Sequence, residues 1–270
     1  MKKVAKKDII EFQKVVWGYY NTHKRDFPWR KRQTPYRIIV SEIMLQQTQA
    51  PRVVEKYNAF LKAFPTIRKL AEASNKDVLR LWSGLGYNRR ALYLKKMAEV
   101  VIKEYKGKFP HTSDTLRELP GVGPYTASAV CIFAYNRPEV CIETNIRTVF
   151  LHHFFSNTRR QVGDHELIPL IAKAIDVDNP REWYAALMDY GTYLKATVSN
   201  PSRKSKHHSK QSKFKGSDRE VRGKILKALL NGKQSKEALI KKIKDTRTTR
   251  ILEKLCSEGM VTKINTHYLL

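Results

Sequence analysis

At 270 residues the chain is long enough for one large domain or two smaller ones with real cores. Its 52 Lys and Arg against 25 Asp and Glu give a formal net charge of +27, beyond what solubility requires and of the sign that attracts a polyanion; a ribosome-associated or merely basic protein is the bland alternative. Cys131, Cys141 and Cys256 are widely spaced, which argues against a disulfide framework, a Cys-ligated metal and an iron–sulfur site; no metal and no cofactor are expected, and a reduced, cytoplasmic and nucleoid-associated setting fits. Lys2, Lys3, Lys6 and Lys7 lack an apolar run behind them and no stretch has the length of a membrane span, so neither a signal peptide nor a transmembrane helix is expected.

In chain order nearly every segment carries a helical period. Ile9, Ile10, Phe12, Val15, Val16, Tyr19 and Tyr20 recur at three and four and form the stripe of a core-packed helix, ended by Asp26-Phe27-Pro28-Trp29-Arg30. Tyr36 to Leu45 leads into Gln46-Gln47-Thr48-Gln49-Ala50-Pro51, uncharged polar residues that interrupt an apolar helix before Pro51 opens the next. Val53 to Phe64 is amphipathic and Thr66 to Leu81 reads as short helices. Trp82-Ser83-Gly84-Leu85-Gly86-Tyr87 is a glycine turn bearing two aromatics, and Asn88 to Tyr105 is a basic helix.

The chain is organised around Leu119-Pro120-Gly121-Val122-Gly123-Pro124-Tyr125-Thr126-Ala127. Two glycines around a small apolar residue, between a polar helix at Thr112 to Glu118 and an apolar one at Ala127 to Ala134, predict a tight turn whose amides open on a helix N-terminus. Such a turn seats a phosphate without reading a base, or is a plain helix–helix connection.

Beyond it, Glu143 or Thr144 can cap an apolar helix that carries Asn145, Arg147 and Phe150, and Glu166 to Ala174 and Trp183 to Leu194 are further helices. Lys195 to Lys215 turns to Ser, Lys, Arg and His, a solvated basic linker or a segment that orders on nucleic acid. Ser217 to Leu270 then shows three helices, at Val221 to Leu230, Ala238 to Ile243 and Thr249 to Leu255, followed by a terminal hairpin from Val261. That order predicts a small winged helix whose third helix reads a groove, or else a helical oligomerisation module.

Two carboxylates carry the chemistry. Glu42 lies on the apolar helix Ile38-Ile39-Val40-Ser41-Glu42-Ile43-Met44-Leu45, where burial is expected to raise its pKa and make it a proton donor. Glu143 sits at a helix mouth near Asn145 and Arg147, which should keep it charged. Carboxyls pushed apart in this way break glycosidic bonds through an oxocarbenium-like transition state, although either glutamate alone reads first as a capped or salt-bridged surface group.

Pro28-Trp29-Arg30, Pro35-Tyr36, Ser41-Glu42-Ile43-Met44-Leu45-Gln46-Gln47-Thr48-Gln49, Leu81 to Tyr87 and Leu119 to Ala127 together resemble the helix-hairpin-helix (HhH-GPD) DNA glycosylases. Within these the chain is most similar to the MutY-type adenine glycosylases, over roughly residues 8 to 195. The resemblance implies that Glu42 protonates adenine N7, that Gln47 and Tyr87 wedge into the duplex where a nucleotide has been extruded, and that Tyr125 hydrogen-bonds near the reacting sugar. It also implies DNA contacts from Gln46, Thr48, Leu119, Gly121, Val122, Gly123 and Asn145, and a base pocket at Trp29 and Arg30. Bifunctional relatives use a lysine at the Tyr125 position as a Schiff-base amine; a phenol cannot do this, so a monofunctional hydrolase that leaves an abasic site is expected.

The chain departs from that family three times. Glu143 stands eighteen residues beyond Tyr125 where the family has an aspartate, one methylene shorter. The four-cysteine loop expected after Tyr193 is replaced by the basic segment, and the domain that inspects 8-oxoguanine is replaced by the smaller Ser217 to Leu270 module. The expected architecture is all-α, a two-lobed glycosylase core with a small C-terminal winged-helix-like domain. Its parts would be a barrel lobe at 28–135, a second lobe from 1–27 and 136–195 with the DNA cleft between the lobes, a basic linker at 196–216 and the C-terminal domain at 217–270. The expected substrate is double-stranded DNA with an adenine mispaired with 8-oxoguanine or guanine, bound by a monomer. A thymine or uracil mismatch glycosylase is the enzymatic rival, disfavoured by Gln46-Gln47 where such relatives tend to carry arginines; a non-catalytic DNA-binding protein is the other.

Overall fold

The computed structural model describes residues 4–209 and 211–270, and it is helical up to the C-terminal domain. Helices α1 (Lys6–His23), α2 (Pro35–Leu45), α3 (Ala50–Ala63), α4 (Ile67–Glu72), α5 (Asn75–Trp82) and α6 (Arg89–Tyr105) follow the apolar stripes of the sequence, with ends displaced by a few residues. Side-chain hydroxyls set several of these starts: Thr66 accepts from the Lys69 N–H and Ser74 from the Asp77 N–H. The hairpin helices are α7 (Ser113–Arg117) and α8 (Pro124–Tyr135); α9 (Thr144–Phe154), α10 (Asp164–Ala174) and α11 (Pro180–Thr197) complete the core. The C-terminal domain runs α12 (Asp218–Leu230), β1 (Gln234–Ser235), α13 (Lys236–Ile243), α14 (Thr248–Ser257), β2 (Thr262–Ile264) and β3 (His267–Leu269). No helix of the described residues is long and apolar enough to cross a membrane.

The chain forms two compact units, Met1–Ile39 with Pro110–Glu118 and Val122–Lys210, and Val40–Phe109 with Leu119–Gly121 and Gln211–Leu270. In the first, α11 packs along α9, α1 and α8 around an aromatic core in which Phe12 meets Phe150, His153, Phe154 and Trp183 at ring separations of 5.0–5.9 Å. Its only fully buried carboxylate among the described residues, Asp189 on α11, takes two arginines of the segment after α1: Arg30 donates to its two oxygens at 2.8 Å and Arg25 Nε at 2.7 Å. Burial works against that charge, but the hydrogen bonds and fields of Arg30 and Arg25 outweigh it and hold the carboxyl below its ordinary range.

The basic stretch after α11 is more than a tether over its first half. Residues Pro201–Lys204 form a 3₁₀ turn capped by Asn200, and Pro201, Ser202 and Ser205 are buried. The Val162 N–H donates to the Lys204 carbonyl at 2.8 Å and Lys206 returns a bond to Val162 at 3.0 Å. The composition reads as solvated because Arg203, Lys206, His207 and His208 are exposed, while the small residues between them and the Lys204 ammonium, which donates to the carbonyls of Phe155 and Ser156, supply the contacts.

In the second unit α4 and α5 pack on α6, and the C-terminal domain has its own core of Val221, Ile225, Leu229, Leu239, Ile251, Leu255 and Tyr268, against which Leu92 of α6 also packs. Its strands pair antiparallel in the order β1-β3-β2. The hairpin β2–β3 and the three helices match the winged-helix pattern of the sequence, and β1, two residues long, carries too little periodicity to be foreseen.

One guanidinium joins the loops of this unit. Arg90 Nη1 donates to the carbonyls of Ile43 at 2.6 Å, Met44 at 3.3 Å and Gln46 at 2.5 Å, and Nη2 to those of Gly86 at 3.1 Å and Leu85 at 3.3 Å. The end of α2 leaves its last carbonyls without intrahelical donors, and a cation there is favoured by the helix dipole. Burial lowers the Arg90 guanidinium to about 10, so it is still charged at neutral pH.

Two stability measurements test these readings. Burial in the aromatic core, aided by His152, pushes His153 down to about 4, whereas in the unfolded chain it protonates near 6.5. Its contribution is therefore complete above about pH 6.5 and is lost as pH falls toward about 4, by roughly 2–3 kcal/mol; His153→Phe should flatten the decline of Tm between neutral pH and pH 4.5. Arg90→Lys, which cannot span both turns, should cost about 1.5–3 kcal/mol in thermal or urea unfolding.

Candidate functional site

Glu42 lies in the last turn of α2, 6% exposed among buried Ile39, Val40, Ile43 and Met44. Directly after it the chain leaves the helix through Gln46, half-buried, and Gln47, exposed and in the left-handed region at φ 57°. The Thr48 hydroxyl donates to the Gln46 carbonyl at 3.3 Å. Facing this turn, Gly84 (φ 95°) and Gly86 (φ 71°) bend the chain over Trp82, whose indole N–H donates to the Gly86 carbonyl at 3.1 Å. Tyr87 follows at φ 48°, a conformation that a bulky residue adopts only when its surroundings hold it. Its ring is 40% exposed. Arg90 thus holds both turns, and places the expected wedge residues Gln47 and Tyr87 on one framework with the turn that follows Glu42.

The hairpin turn has the predicted form. Gly121 sits at φ 78° with the Tyr93 Cβ 2.7 Å from where its own Cβ would lie, so both backbone conformation and space require glycine. Leu119 and Val122 are buried anchors. Gly123 is the extended N-cap of α8, with no side chain capping the first-turn amides and Pro124 opening the helix. That is the geometry of an anion seat. Tyr125 is half-buried in the first turn of α8.

Of the two capping residues the sequence allowed at α9, Glu143 takes the role. Its Oε1 accepts from the N–H groups of Asn145 at 2.7 Å and Ile146 at 2.9 Å, and its Oε2 from Asn145 Nδ2 at 3.2 Å. Arg147, expected near it, pairs with Asp164 at 2.6 and 2.8 Å and still lies in the field of Glu143. The carboxylate is thus locked by its own helix terminus and by Asn145. Asn145 in turn rests on Gly191 of α11, where an added Cβ would lie 2.8 Å from the Asn145 carbonyl carbon. The Thr192 hydroxyl reaches Asn145 Oδ1 at 3.4 Å. Half-buried Lys195 lies in the field of Glu143; burial lowers its ammonium and Glu143 opposes that.

Trp29 is buried and stacks on Phe27 at 4.7 Å, while the Arg30 guanidinium is occupied by Asp189 and the Arg25 carbonyl. Arg30 therefore fixes the turn that carries Trp29. Sequence reasoning missed Arg90, Asp189, Gly191 and Lys195. Asp189 and Gly191 do leave a trace, an acid and a glycine inside the apolar run Ala185 to Leu194; Arg90 and Lys195 look like any other cation of a basic chain. Among the described residues no group of three or more His, Cys, Asp or Glu side chains could hold a metal.

A family model described as HhH-GPD superfamily base excision DNA repair protein matches residues 40–167. The adenine DNA glycosylase of Mycolicibacterium smegmatis is 34% identical over 229 residues, which cover 78% of each chain. That of Rattus norvegicus is 35% identical over 207 residues, 73% of this chain and 39% of the relative, and that of Buchnera aphidicola is 31% identical over 193 residues, 72% and 55%. The chain thus spans only about half the length or less of these last two. Among solved structures, a thermostable thymine-DNA glycosylase superposes with a TM-score of 0.65 at 26% identity, covering 72% of this chain and 91% of that one. A non-covalent endonuclease III–DNA complex shares the fold, with a TM-score of 0.57 at 17% identity over 72% of this chain and 87% of that one. The family match and the relative 34% identical over 78% of each chain show that the chain belongs to the HhH-GPD superfamily of base excision DNA repair proteins, on the branch of the adenine DNA glycosylases.

Proposed function

We propose that the protein is a monofunctional DNA glycosylase that releases an extruded adenine mispaired with 8-oxoguanine or guanine and leaves an abasic site, acting as a cytoplasmic monomer on duplex DNA. The observation that carries this reading is Glu42, a carboxyl 6% exposed on an apolar helix immediately before the Gln46-Gln47-Thr48 turn. In this reading Glu42 gives its proton to adenine N7, so that the base leaves as a neutral molecule when the glycosidic C–N bond breaks. Glu143, with its oxygens already engaged by N–H donors, is the fixed carboxylate that faces the positive charge developing on the sugar. Water then adds to the sugar carbon, and the proton it loses restores the Glu42 carboxyl.

Tyr125 hydrogen-bonds near the sugar but cannot form an imine, so no strand cleavage accompanies base release. Gln47 and Tyr87 fill the space vacated in the duplex, Trp29 on its Arg30-braced turn lines the base pocket, and Gln46, Thr48 and Asn145 contact the DNA. The amides at Leu119, Gly121, Val122 and Gly123 seat a phosphate. The match to a thymine-DNA glycosylase at 26% identity supports a second reading, a thymine or uracil mismatch glycosylase.

Duplexes with adenine opposite 8-oxoguanine, A·G, T·G and U·G, treated with alkali after incubation, separate these readings. Cleavage confined to the adenine duplexes is expected; cleavage at T·G or U·G moves the protein to the second reading, and no abasic product from any duplex leaves a binding protein. Glu42→Gln should lower the single-turnover rate about 10²–10⁴-fold and Glu143→Gln about 10²–10³-fold, with duplex affinity little changed in gel shifts. Tyr125→Lys should yield a borohydride-trapped covalent complex that the unaltered protein does not give.

A further inference from the structure

The C-terminal domain touches the expected wedge directly. The Tyr87 hydroxyl takes hydrogen bonds from Gln211 Nε2 at 2.5 Å and from Arg219 Nη1 at 3.0 Å. The guanidinium of Arg219 also lies over the Tyr87 ring, 5.6 Å from its centroid, and that of Arg90 lies 5.5 Å from the same ring. This contact lies in a groove of about 900 Å³ lined by Gln46 and Gln47, by the glycine turn, by Arg219 and Lys227 of α12 and by Lys254 of α14. Seven of its lining side chains are cationic and one, Glu258, is acidic; Arg222 already pairs with that acid at 2.5 Å.

The helix expected to read a groove is differently occupied. At the start of α14, Arg247 is tied to Asp245 at 2.8 Å and to Asp218 at 3.1 Å, and Arg250 to Asp218 at 2.8 Å. The positive charge that the domain turns toward the wedge comes from Arg219 and Lys227 of α12 and from Lys254. A cationic groove that begins at an exposed aromatic ring suits a sugar–phosphate strand running from a stacked base, since such contacts follow the backbone and do not read sequence.

We propose that this groove holds a DNA strand next to the extruded nucleotide, so that the winged-helix domain grips the duplex through its first helix, and that Arg219 is a positioning residue that holds Tyr87 for insertion. The proposal rests on the glycosylase reading for the role of Tyr87. The groove adds affinity and supports the wedge without choosing the opposite base, because its cations meet phosphates.

The test uses the full chain and a duplex with adenine opposite 8-oxoguanine, with 2-aminopurine beside the adenine as a reporter of unstacking. Lys227→Gln and Lys254→Gln should each weaken binding about 3- to 10-fold and lower the log–log salt slope by about 1, whereas Lys241→Gln, on α13, should do neither. Arg219→Ala and Tyr87→Phe should both reduce the 2-aminopurine rise on binding, and Arg219→Gln, which keeps a donor for the Tyr87 hydroxyl, should restore it. Equal losses in all three lysine variants, no loss at Lys227 and Lys254, or an unchanged rise in Arg219→Ala would each overturn the proposal. Base release from the unaltered protein is measured in parallel. Its absence alongside the groove losses sinks the glycosylase reading and leaves the groove, while normal release with unaffected binding sinks the groove alone.

Discussion

The hydrogen bonds that gather five backbone carbonyls onto the Arg90 guanidinium are the constraint on which the rest of the second unit depends. Three of those carbonyls belong to the end of α2 and the turn after it, and two to the glycine turn before α6. A helix end normally satisfies such oxygens with water or a glycine cap. Here a half-buried cation does so from another helix, and it therefore sets the spacing between the Gln47 and Tyr87 turns. The left-handed backbone at both residues is held by this same link. Lysine, a point charge with three donors, has no fork with which to replace it.

The first unit has a comparable device in Asp189. A carboxylate buried on α11 collects Arg25 and Arg30 and so ties the segment bearing Trp29 to the helix that also carries Gly191 and Lys195. Through Gly191, α11 comes close enough to support Asn145, and Asn145 steadies Glu143 at the mouth of α9. Glu143 stands where an aspartate is expected, and its oxygens are engaged by the amides of its own helix terminus and by Asn145 Nδ2. In each unit, then, one ionic group fixes the backbone that presents one of the two carboxylates.

In the C-terminal domain the order of elements and the distribution of charge point to different faces. A winged helix suggests reading by its third helix, yet the arginines that open α14 are neutralised by Asp218 and Asp245, and the cations facing the Tyr87 turn come largely from α12. Two acidic residues among many lysines decide which face is available, and composition cannot show which cations they cancel.

What the sequence determined by itself was local. Apolar residues at three and four specified nearly every helix from α1 to α14, because amphipathic periodicity is a property of consecutive residues. Glycines at 84, 86 and 121 marked turns that need left-handed backbone, and Glu42, Tyr125 and Glu143 stood out because their chemistry is unusual at those points of a helical pattern. Only the tertiary structure decided which of many like-charged groups matter. Arg90 finds three of its five carbonyls 44 to 47 residues away in the chain, Asp189 its arginines about 160 residues away, and Arg219 its tyrosine 132 residues away. In a chain carrying 52 basic residues nothing local distinguishes Arg90 and Arg219, and Asp189 shows only as an acid within an apolar run, since the energy of a buried ion depends on the partners the fold brings to it.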